Sequence, residues 1–103
     1  MAQTKPVDEL VLWAAWELKR YRAEKPPVQR SIKAKLVNTL SDLEEKKAKK
    51  YAALNTMYDY MAKPEKWDVL DPLTQDDRWE QFHRTLKEYE FVCDCVAGIE
   101  ALR

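Results

Sequence analysis

Glycine is nearly missing from this 103-residue chain, which has only Gly98. Hairpins, tight turns and phosphate-cradling loops lean on glycine for positive φ, so one glycine near the C-terminus excludes most of them. Histidine is as scarce, with His83 alone, and the only cysteines are Cys93 and Cys95. No apolar run approaches the ~18 residues that span a bilayer. The opening residues, MAQTKPVDEL, show no basic-then-apolar-then-small leader pattern. No Walker loop, Gly-x-Gly-x-x-Gly or Gly-x-Ser-x-Gly is present. These absences predict an all-α protein that is not an enzyme, needs no cofactor or metal, and works away from membranes. Two residues apart on a helix, Cys93 and Cys95 point in different directions, so a disulfide between them is geometrically poor. Free thiols without an export signal place the chain in a reducing, cytoplasmic setting.

What is present is apolar and charged in generous measure. Hydrophobic residues make up 46% and charged residues 35%, which excludes simple disorder and supplies one core without staples. The whole of residues 1–103 reads as a single domain. Net charge is zero but divided: residues 1–58 hold twelve Lys/Arg against seven Asp/Glu, and residues 59–103 hold six against eleven. An antiparallel arrangement would set the basic half beside the acidic half.

Proline punctuates the chain. Pro6 follows Thr4, an N-cap residue, with Asp8 and Glu9 expected in the first turn. The first helix is predicted over about 6–24 and stops before Pro26 and Pro27. Val7, Leu10, Val11, Ala14, Leu18 and Tyr21 form its core face at helical spacing. The second is predicted over about 28–63. From Val28 through Ile32, Leu36, Leu40 and Leu43 to Tyr51, Leu54, Tyr58 and Met61 one hydrophobic phase persists, interrupted only by Lys47. That predicts one continuous helix through the polar stretch Glu44–Lys50. Residues 64–74 form an apolar connector with a single turn around Trp67, expected to lie on the helices. Thr74 and Asp77 resemble a capping box before a third helix over about 75–101. Its main stripe is Trp79, Phe82, Leu86, Tyr89, Cys93, Val96 and Ala97. The predicted architecture is a three-helix antiparallel bundle with one long central helix, expected to be oligomeric.

Two faces carry more apolar surface than one core explains. Leu12 and Trp16 lie opposite the first helix's core stripe with Trp13 on a flank, and Phe91, Cys95 and Leu102 form a second seam on the third helix, extended by Val92 and Ile99. Packing against the Trp67 connector would account for them structurally. The functional reading is a protein-binding surface, most simply a homodimer seam. The rival is nucleic acid: residues 19–35 are rich in Lys and Arg, and Arg20, Tyr21, Arg22, Arg30 and Lys33 are the candidate contacts within a basic segment, 19–50. Those charges scatter around their helices, and the acidic third helix is expected to balance them within the chain. Lone His83 lacks a nucleophile or pocket, and with Cys93-Asp94-Cys95 it does not match zinc spacing. The reading is therefore a small helical interaction module, of the accessory, adaptor or inhibitor type found in phages and mobile elements.

Overall fold

The computed structural model describes residues 8–103. The expected cap at Thr4, the start at Pro6 and the core position of Val7 lie outside the described residues. Four helices follow in order: α1 (Glu9–Ala23), α2 (Pro26–Met61), α3 (Pro64–Trp67) and α4 (Pro72–Glu100). No strand occurs among the described residues. Proline sits in the first turn of α2, α3 and α4, where its missing N–H leaves no helical hydrogen bond unmade. The helix count exceeds the expected three because the turn around Trp67 is a short helix of its own. The last helix also begins at Pro72, not at 75. Thr74 is therefore inside α4, and its hydroxyl donates to Asp71 Oδ1 at 2.5 Å instead of capping the start.

Asp8 caps α1 and does not occupy its first turn: the Leu10 N–H donates to Asp8 Oδ1 at 2.8 Å. Lys46 Nζ reaches the other oxygen at 2.9 Å. Lys46 first, and the Leu10 amide second, hold the Asp8 carboxyl below its usual 3.8. A folded value below the unfolded one means stability present above the ordinary carboxylate range and lost as pH falls through the folded value. Asp8→Ala should cost about 0.5–2 kcal/mol at neutral pH, the usual worth of an N-cap. Urea titrations of wild type and variant should converge on acidification, and an undiminished gap at acidic pH would contradict the assignment.

The long helix is unbroken through Glu44–Lys50, as its single hydrophobic phase predicts. At 1.5 Å per residue its 36 residues span roughly 54 Å, close to the 59 Å long dimension of the molecule. α4 runs antiparallel to it: Lys50 pairs with Glu88 at 2.5 Å, Tyr51 meets Tyr89, and Arg78 lies over Tyr60. α1 is also antiparallel to α2, with Asp8 at Lys46 and the Tyr21 carbonyl accepting from Gln29 Nε2 at 2.9 Å. α1 is thus parallel to α4.

All three long helices feed one buried cluster: Val11 and Ala14 from α1, Ile32, Leu36, Leu40 and Leu43 from α2, and Val92, Cys95, Val96 and Ile99 from α4. The lone Gly98 serves this contact and not a turn. A Cβ there would stand 3.0 Å from Leu18 Cδ1, so glycine lets α1 approach α4 closely. The α4 stripe is the main correction. The seam through Cys95, Val92 and Ile99, expected on a second surface, is the core, whereas Ala97 and Trp79 of the expected stripe are exposed. α1 lies against the C-terminal part of α4 as well as on α2, which turns the buried side of α4 toward both neighbours.

The core fills only one half of the molecule. α1 spans 15 residues and runs out level with Lys46. Beyond it, α2 buries Leu54 alone, and α4 buries nothing before Val92. Tyr51 and Tyr58, in phase with the core, are therefore exposed.

Candidate interaction surfaces

At the open, two-helix end, α2, α3 and α4 leave an aromatic cleft of about 510 Å³ lined by Tyr58, Met61, Trp67, Gln75, Asp76, Trp79 and Phe82. The α2–α4 register places Tyr58 across from Trp79. The single turn of α3 brings Trp67 over the gap, where the Gln75 side-chain amide donates to its carbonyl at 2.9 Å. Trp79 and Phe82, one helical turn apart, stack nearly parallel with centroids 5.8 Å apart. His83 meets the Trp79 ring edge-on at 4.9 Å. Tyr58 is 63% exposed and Trp79 50%, while Val69 and Leu73 on the connector reach 78% and 77%. The connector does not lie wholly on the helices as expected: Trp67 and Leu70 are half-buried, and the other two face outward. Arg78 and Lys66 stack on Tyr60 beside the cleft, at 4.6 and 5.8 Å from its centroid. Residues 59–80 carry seven carboxylates against three cations, so the cleft is aromatic within and acidic around.

Of the partner-binding residues read from the sequence, Leu12 and Trp16 are exposed on the outer face of α1, at 48% and 60%. Arg20 lies over the Trp16 ring at 5.7 Å. Trp13, Phe91 and Leu102 are half-buried and pack against the core cluster. Cys95 offers almost no surface: it is buried in the core, with its Sγ donating to the Val11 carbonyl at 3.8 Å. Burial, and then the charge of Asp94, push its thiol up to about 11. At pH 8, native Cys95 should alkylate about 100-fold or more slowly than in denaturant, since the thiolate reacts and burial withholds it. Peptide mass mapping after timed iodoacetamide treatment checks this. Comparable native and denatured rates at Cys95 would refute the buried placement.

The connector does not cover these faces. Trp67 belongs to the open end, whereas Trp16 and Phe91 lie at the core end, some twenty residues along α2 or roughly 30 Å away. Tyr58, Met61, Trp79 and Phe82 of the cleft share the helical phase that predicts a core position. Only the shortness of α1, marked in the sequence by Pro26, hints that Tyr58 and Trp79 lack a third helix.

The basic candidates gather around the α1–α2 turn. Arg22 and Arg30 are exposed and Lys33 is half-buried. Arg20 pairs within its own helix, with Glu17 at 3.4 Å and Glu24 at 3.3 Å. Tyr21 is half-buried against the core and is not a free stacking platform. The last helix brings Asp94 to a shallow pocket shared with Lys19 and Arg22 but forms no ion pair with the basic candidates among the described residues. Asp76, Asp77 and Glu80 stand near Tyr60, roughly 40 Å along α2 from Arg30 and Lys33. Among the described residues neither of these two, nor Arg22, forms an ion pair.

A larger cleft, about 830 Å³, opens beside the start of α1. Ion pairs tie its charged lining together, Lys46 to Asp8 and Lys50 to Glu88. Among the described residues no three His, Cys, Asp or Glu side chains are grouped to hold a metal, and no helix is long and apolar enough to cross a membrane. Scanned against protein-family models, curated proteins and solved structures, the chain matches none of them.

Proposed function

We propose that this chain is a non-catalytic helical module that binds protein through exposed aromatic surfaces, foremost the cleft at its open end. The observation that carries the reading is the pairing of two exposed aromatic side chains, Tyr58 and Trp79, on the walls of one concave site that Met61, Trp67 and Phe82 also line. Large exposed apolar patches with polar rims mark interaction sites, and Trp and Tyr are the residues that most often anchor them. Leu12 and Trp16 on α1 form a second, smaller anchor. The test is affinity capture from the native host with wild type and with Tyr58→Glu/Trp79→Glu, both sites being exposed. A partner held by wild type, resistant to nuclease and lost from the double variant is the expected result. Capture that the substitutions leave unchanged would reject the cleft as the binding surface.

The second reading, a nucleic-acid accessory factor, is favoured by one observation: Arg22, Arg30 and Lys33 have no carboxylate partner among the described residues. Binding through them would fall steeply with salt. Without Tyr21 as a stacking group, only phosphate contacts remain for such binding.

A further inference from the structure

The two ends of the molecule are complementary in charge. Residues 59–80 around the aromatic cleft carry seven carboxylates against three cations, and residues 17–35 at the far end carry seven cations against two carboxylates. The C-terminal part of α4 beside them adds Glu90, Asp94, Glu100 and Arg103, which leaves that end still net positive. Each end also exposes an apolar anchor: the cleft has Tyr58 and Trp79, and the basic end has Trp16 with Leu12.

We infer that the acidic aromatic cleft of one copy receives the basic outer face of α1, centred on Trp16, from a second copy. This rests on the reading that the exposed aromatic surfaces bind protein, and it names the occupant. The outer face of α1 matches the cleft in both charge and anchor, with an exposed indole beside exposed cations. Lys19 shares the outer face with Trp16, one turn on, and Arg20 lies over the indole. An indole entering the cleft would bring both cations toward Asp76 on its wall and the adjacent Asp77. A second copy's α1 would also supply a third helix to the half of the α2–α4 hairpin that lacks one. Cleft and face are different patches, so the contact is heterologous: it closes into a ring where the rotation allows and otherwise extends head to tail.

Sedimentation velocity across a wide concentration range tests this with three forms of the full chain. Wild type should exceed monomer mass at low salt and shift toward monomer at roughly 0.5 M salt, where surface charges are screened within a few ångströms. A cleft variant, Asp76→Arg/Asp77→Arg, and a face variant, Lys19→Glu/Arg22→Glu, alter exposed residues only, and circular dichroism confirms that each keeps its helix content. Each alone should need a roughly tenfold or higher concentration to associate, because like charges then face each other. Their equimolar mixture should recover wild-type association, since the reversed cleft meets the reversed face. A wild type that stays monomeric at low salt overturns the inference, as does a face or cleft variant that associates as well as wild type. Such a monomer whose captured partner is still lost from Tyr58→Glu/Trp79→Glu would end self-pairing and leave the protein-binding reading standing.

Discussion

Leu36→Ala should cost about 2–5 kcal/mol, the range for truncating a fully buried leucine. Leu36 has no solvent exposure and sits in the one cluster that α1, α2 and α4 build together. A domain of this size holds only about 5–15 kcal/mol in total, so the variant should lose a large part of its stability. Tyr58→Ser, in the same hydrophobic phase of the same helix, should change stability by no more than about 0.5 kcal/mol, as is usual for exposed sites. Urea titrations of the two variants measure the contrast directly. Hydrogen exchange should draw the same boundary, with amides near Ile32–Leu43 and Val92–Ile99 protected up to the global limit and those near Tyr58–Phe82 exchanging through local opening. Equal losses from the two substitutions, or uniform protection along α2, would show that the open end is as tightly held as the core.

Glu17→Leu should stabilise the protein by about 1–3 kcal/mol, the scale on which apolar replacements of poorly satisfied buried ions act. Glu17 was not expected in the core, yet it is the one polar residue buried among those described, at 4% exposure. Its Oε2 has no hydrogen-bond partner, and its Oε1 accepts only a long 3.4 Å bond from Arg20. Arg20 is itself more than a third exposed and keeps Glu24 as a second partner, so losing Glu17 strands no buried charge. Leucine fills a similar volume and removes an unsatisfied oxygen, which costs roughly 1–3 kcal/mol when left buried. Each kcal/mol corresponds to roughly 4–8 °C in Tm for a domain of this length, well within reach of calorimetry. A lower Tm would mean that the Glu17–Arg20–Glu24 chain holds α1 in place.

The two substitutions act on features of different legibility. Leu36 announces itself: it repeats at helical spacing with Ile32, Leu40 and Leu43, and all four are buried. Glu17 does not, because a carboxylate on a helix facing many partners reads as surface until the neighbouring helix is placed over it. The same holds for Cys95, which looks like part of an outer seam when α4 is read alone. Its phase becomes the core phase only when α1 and α2 press on the same side.

The sequence by itself determined the helices. Prolines 26, 64 and 72 start three of them, glycine is too rare for hairpins, and one hydrophobic phase, broken only at Lys47, carries α2 through a run of charged residues. These are local effects of backbone sterics and side-chain spacing, so they can be read in one dimension. Tertiary structure alone decided which hydrophobic residues are buried. Leu54 and Tyr58 occupy nearly the same phase of one helix, yet Leu54 is buried and Tyr58 is 63% exposed. Burial depends on how many neighbours reach a given level of the stack, and α1 is 15 residues long against 36 for α2. A third helix that stops near Lys46 closes a core on one side of that point and leaves an aromatic cleft on the other.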